Sequence, residues 1–203
     1  GSHHAPLGAI GSIPWALAGR SHCPLAVINE NGHRIASTAG DPSAKRTVAV
    51  GVDSSDQNRH VLDTAFREAQ LRDATLLAIH VWDFTAVDFA SDPLRQLSWA
   101  GLEYGESKAL EEMLDSFRDD YPKVNVKQRV VDNRPSTGLI ETAADAELLV
   151  VGSRGRGTMA SIMLGSTGHH LLQSAPCPLL IMCEDTATGE SAREPAAVGA
   201  GSH

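Results

Sequence analysis

Nothing in this chain approaches the roughly 20 consecutive apolar residues that a membrane-spanning helix requires, and no signal peptide is visible. Cysteine is scarce: Cys23, Cys177 and Cys183 are odd in number and lack the spacing of metal ligands. They read as small buried residues of a reducing compartment, so the expected location is the cytoplasm. Positive charge is also in short supply. Seventeen Lys and Arg face 25 Asp and Glu, for a net charge of -8, which excludes binding to nucleic acid or to an anionic membrane through bulk charge. A site for phosphate would have to use backbone amides and local arginines.

What is present is a globular chain of 203 residues, 42% hydrophobic and 21% charged, a balance that supports a packed core and argues against disorder. Residues 186–203, rich in Ala, Gly, Glu and Ser, read as a disordered tail. Residues 32–44, with Gly40 and Pro42, read as a linker. Between them strand and helix patterns alternate. Thr47 to Val52 is a short apolar run that reads as a buried parallel strand, with Ser54 and Ser55 as candidate helix caps behind it. Val61, Ala65 and Ala69, with Leu62 and Phe66, form one helical face.

Thr75 to Val81 is a second strand. Leu110, Met113, Leu114, Phe117 and Tyr121 mark a helix ending before Pro122, and Val124, Val126 and Val130 suggest a third strand. Ser136 is a candidate cap for a short helix carrying Ile140, Ala143 and Ala144. Leu148 to Val151 is a fourth strand. A helix is expected from about Ser166, and Pro178 to Met182 is a fifth strand. This alternation predicts an α/β fold, an open five-stranded parallel sheet with helices on both faces in the Rossmann-like manner, its strand C-termini gathered at one edge.

The chain also repeats itself. Gly11-Ser12 through Cys23-Pro24-Leu25 matches Gly165-Ser166 through Cys177-Pro178-Leu179 without a gap, at an offset of 154 residues. Residues 1–31 therefore read as the last helix and strand of a truncated preceding repeat, and residues 45–185 as the complete domain. Pro24 to Ile28 is expected to pair with Pro178 to Met182 and cover the sheet edge.

The chemistry is concentrated in Gly152-Ser153-Arg154-Gly155, nine further residues, then Gly165-Ser166. Glycines allow a sharp turn at the end of the fourth strand and a close approach of ligand to main chain. Gly165 and Ser166 would present amides at a helix N-terminus, where phosphate is favoured, with hydroxyls of Ser166 and Thr167 beside them. Asp53, at the end of the first strand, can bind ribose hydroxyls, help hold a metal, or simply cap the next helix. Arg154 and Arg156 either neutralise phosphate or face solvent. His80 reads as a packed or edge residue. There is no Walker lysine, no Gly-x-Gly-x2-Gly after the first strand, and no assignable Ser-His-Asp or Cys-His set.

Val50-Gly51-Val52-Asp53-Ser54, Ala78-Ile79-His80-Val81 and Val150-Val151-Gly152-Ser153-Arg154-Gly155 through Gly165-Ser166 resemble the universal stress protein domain, whose pattern Gly-x2-Gly-x9-Gly-(Ser/Thr) is met in full. The resemblance runs from about Lys45 to Asp185. It implies ATP bound across the strand ends, with or without magnesium. Gly51 and Asp53 would line the adenine and ribose end, and Val81 would hold adenine by its backbone. Val151 and Gly152 would lie near the ribose, while Gly155, Gly165, Ser166 and Thr167 would hold the phosphates. It further implies a stress or dormancy regulator that dimerises, or pairs within one chain, through the last strand. The alternatives are a slow ATP hydrolase or self-phosphorylating enzyme acting at Ser166 or Thr167, and a pairing module that has lost nucleotide. Gly168, inside the first turn of the last helix, weakens that helix by about 0.5–1 kcal/mol relative to alanine and leaves the phosphate geometry open.

Overall fold

The computed structural model of the protein describes residues 17, 21, 23–28, 46–53, 58–83, 95–153 and 164–183. The elements in chain order are β1 (Leu25–Val27), β2 (Thr47–Val52), α1 (Asn58–Arg72), β3 (Thr75–Trp82), α2 (Arg95–Arg118), β4 (Val126–Asp132), α3 (Pro135–Thr142), β5 (Leu148–Gly152), α4 (Ser166–Ser174) and β6 (Leu179–Met182). The strands form one sheet in the order β1-β6-β5-β2-β3-β4. Strands β2 to β6 are mutually parallel, as expected. A sixth strand, β1, joins antiparallel at the β6 edge.

Strand alternation sends side chains to two separate cores. Val48, Val50 and Val52 of β2, Leu76 and Ala78 of β3, and Val150 of β5 pack with Val61, Leu62, Ala65, Phe66 and Ala69 of α1 and Leu110, Leu114 and Phe117 of α2. Ala49, Ile79, Leu149, Val151, Leu179 and Ile181 pack with Leu139 and Ala143 around α3 and Leu171 and Leu172 of α4. Because β2 and β5 are buried on both faces, they read as unbroken apolar runs. Phe66 stacks with both Phe117 and Tyr121, each ring centroid 5.3 Å away, and this fixes the C-terminal half of α2 on α1.

The register of β1 is informative. Leu25 pairs with Ile181, Ala26 with Leu180 and Val27 with Leu179. At the offset of the internal repeat, Ala26 is the counterpart of Leu180 itself. Positions related by that offset therefore pair about a local two-fold centred on Ala26 and Leu180. Leu25 and Val27 reach the α3/α4 core.

Two local expectations are corrected. α2 starts at Arg95, far upstream of the apolar positions that betray it, and ends at Arg118, so Tyr121 lies beyond the helix with its amide on Phe117 O. Ser136 does not cap α3. The cap is Arg134, followed by Pro135, whose preset φ suits the first helical position, and the Arg134 amide is taken by Asn133 Oδ1. The α4 glycine also has a structural cause: a Cβ on Gly168 would lie 2.7 Å from Leu164 Cδ1. The proposed caps Ser54 and Ser55, the linker at 32–44 and the tail at 186–203 lie outside the described residues.

Candidate functional site

Chain direction across the sheet reverses between β2 and β5. From β2 the chain builds outward through β3 to β4, then returns to add β5 and β6 on the other side. Open α/β sheets bind ligands at such a point, outside the strand C-termini. Two of the residues singled out above stand there. Asp53 follows β2, half-buried, and Gly152 closes β5, which pairs with β2 from Val48–Leu148 to Val50–Val150. Alternation carried one residue past the strand puts Asp53 on the same face as Gly51, the α3/α4 face.

The rim is tied together by main-chain bonds. The Ser153 amide donates to Met182 O at 2.8 Å, extending the β5–β6 ladder by one step. The Gly165 amide donates to Ser153 O at 3.2 Å, which draws the N-terminus of α4 to the end of β5. This corrects one expectation: the Gly165 amide is engaged inside the protein. The α4 ladder begins at His169 N to Gly165 O, 2.9 Å, so the amides of Ser166, Thr167 and Gly168 precede it. Ser166 is exposed, Thr167 half-buried and Gly168 buried. Ser136 Oγ and His170 Nδ1, 3.2 Å apart, join the first turn of α3 to α4.

Beneath the rim lies a packed floor. A Cβ on Gly51 would meet Leu139 Cδ2 at 3.0 Å and Val151 Cγ1 at 3.2 Å, so the missing side chain of Gly51 is the space that Leu139 occupies. Val81 lies against Gly138 in the same way. The structure thus brings together Gly51, Val151 and Leu139 as floor, and Asp53, Gly152, Gly165, Ser166 and Thr167 as rim residues of neighbouring elements. Leu139 and Gly138 were not foreseen, because a Gly-Leu step in a short helix carries no chemical signature. Gly155, Arg154 and Arg156 lie outside the described residues.

His80 is packed within its strand, as one of its two readings had it, and it carries polar contacts there. It is 5% exposed and faces α2, with Nδ1 2.9 Å from Val52 O and Nε2 3.1 Å from Glu106 Oε2. Among the described residues no three His, Cys, Asp or Glu side chains converge as a metal site, and no helix is long and apolar enough to cross a membrane.

A mostly parallel sheet with a topological switch point and helices on both faces define an open α/β protein. Residues 45–182 match the pattern of the universal stress protein family, and the chain belongs to that family. It is 35% identical over 173 residues to a universal stress protein of Mycobacterium tuberculosis strain H37Rv, covering 85% of this chain and 53% of that protein. A second protein of the same strain is 32% identical over 184 residues, 91% of this chain and 59% of its own length. The chain thus spans a little over half the length of these relatives.

Among solved structures, a universal stress protein in complex with cAMP aligns at 27% identity and TM-score 0.51, over 70% of this chain and 98% of that one. One from Archaeoglobus fulgidus DSM 4304 aligns at TM-score 0.60 and 19% identity, over 91% of this chain and 59% of that one, and speaks to the fold.

Proposed function

We propose that the domain binds an adenine nucleotide, ATP, across the ends of β2 and β5, and that occupancy biases its conformation or pairing so that it acts as a stress or dormancy regulator in the cytoplasm. The observation that carries the reading is the placing of Asp53, the strand-end Gly152 and the Ser166–Gly168 amides at one switch point, with Gly165 bonded to Ser153. A structural relative solved in complex with cAMP supports an adenine nucleotide as the ligand. In this assignment Asp53 accepts from the ribose, and Val81 offers its main chain to adenine. Gly51 and Val151 serve as floor under Leu139, while Gly152, Gly155, Ser166 and Thr167 surround the phosphates. Gly165 acts by holding α4 in place. A magnesium ion would fit the usual pattern of one carboxylate, Asp53, together with ligand phosphates and water.

The strand β1 supports a tandem reading of residues 1–31, because its two-fold register about Ala26 and Leu180 is the one that two equivalent last strands would adopt. The match to the longer relatives also extends beyond residues 45–182. Calorimetric titration with ATP tests the nucleotide reading. Asp53→Ala should weaken binding by about 1.5–3 kcal/mol, the value of a hydrogen bond to a charged group. An unaltered affinity would remove Asp53 from the site, and an absence of binding to the parent chain would leave a pairing module.

A further inference from the structure

The His80–Glu106 pair is set in an otherwise apolar seam. From α1 the seam receives Val61, Leu62 and Ala65, from β4 Val130, and from α2 Leu110 and Leu114. His80 has two polar contacts, the Val52 carbonyl oxygen at 2.9 Å and the Glu106 carboxylate at 3.1 Å, the second an ion-pair contact. Nε2 is buried and makes no hydrogen bond among the described residues, so Glu106 is held against the ring without one. The Glu106 side chain is 28% exposed. The next residue of α2, Ser107, takes the Gln128 side-chain amide on its Oγ at 3.1 Å. Two consecutive α2 residues therefore grip two adjacent strands. Val52 is the last residue of β2, and its carbonyl belongs to the peptide that carries the Asp53 amide.

We propose that His80 is a positioning residue for the ligand rim: its buried ring links the 52–53 peptide to Glu106 of α2 and so sets how Asp53 is presented. The inference rests on the nucleotide reading only where affinity is concerned. Glu106 is the charged group against the ring, Gln128 is uncharged, and the carboxylates of Asp53, Asp83 and Asp132 close β2, β3 and β4 nearby.

The test uses the full chain uniformly labelled with 15N. The Asp53 amide resonance is recorded without nucleotide, and ATP affinity is measured by calorimetry. Glu106→Gln should shift the Asp53 amide. It should also lower ATP affinity about tenfold, the scale of one charge-assisted contact. His80→Asn, which keeps one donor near Val52, should retain more affinity than His80→Ala. An Asp53 amide indifferent to Glu106→Gln overturns the clamp. Absence of ATP binding to the parent chain overturns the nucleotide reading alone, since the spectra still decide the clamp. A shifted amide with unaltered affinity severs the clamp from ligand binding.

Discussion

Gly138 of α3 lies so close under Val81 of β3 that a Cβ on it would sit 2.7 Å from Val81 Cγ1 and 3.0 Å from Cγ2. Alanine in a helix interior ordinarily stabilises by about 0.5–1 kcal/mol over glycine. Here the sign should reverse. Val81 is β-branched and stiff, and its backbone is held by pairing with Val131, so it cannot move aside. α3 would have to lift off the sheet, and Leu139 would lift with it from Gly51. Gly138→Ala should cost about 1–3 kcal/mol, seen as a lower urea midpoint with an unchanged slope. A midpoint at or above that of the parent chain would show that α3 shifts without resistance.

The same substitution at two other glycines should have opposite effects. At Gly168 a Cβ would meet Leu164 Cδ1 at 2.7 Å and Cγ at 2.8 Å, and Leu164 is itself buried in the α3/α4 core. Gly168→Ala should therefore cost about 1–3 kcal/mol through overpacking. At Gly105, on an exposed stretch of α2, the added carbon would have no neighbour within 4 Å. Gly105→Ala should gain about 0.5–1 kcal/mol. Calorimetric melting of the two variants beside the parent chain reads the contrast directly, and equal shifts would mean that helix propensity alone governs both positions.

How much of this was legible depended on how each feature is encoded. β2 and β5 are buried on both faces, so Thr47 to Val52 and Leu148 to Val151 announce themselves as continuous apolar runs. β1 was legible for a different reason: Cys23-Pro24-Leu25 repeats Cys177-Pro178-Leu179, and equivalence with β6 predicted its pairing. The first half of α2 was not, because the stretch between Arg95 and Lys108 has no apolar stripe like that of Leu110, Leu114 and Phe117. The rim residues Asp53, Gly152 and Gly165 carry residue-type signals that survive in one dimension. The partners that define their surroundings do not: the Ser153 oxygen that takes the Gly165 amide and the Leu139 side chain over Gly51 are ordinary atoms brought close by packing. His80 was visible as a residue, but its role required Glu106, 26 positions away on another element.

The cysteines should differ sharply in reactivity, and one of them should shape stability at high pH. Cys177 is fully buried, and burial pushes its thiol up from 9.0 to about 12, whereas Cys23 is exposed. The thiolate is the reactive form, so an alkylating reagent should label Cys23 in the native chain and reach Cys177 only after unfolding. The same difference makes folding sensitive to base. Folded Cys177 holds its proton while the unfolded thiol begins to release it near pH 9, so its stabilising contribution is whole below pH 9 and is lost as pH rises from 9 to about 12. Tyr121 acts in the same direction above pH 10, its phenol raised by burial first and then by its hydrogen bond to Asp63. Melting temperature should accordingly fall through this range. Cys177→Ala should flatten the slope while lowering the neutral-pH value by the cost of a small cavity, and Tyr121→Phe should remove part of what remains. Rapid labelling of Cys177 in the native state, or a melting profile in base unaltered by Cys177→Ala, would show that the thiol is open to water.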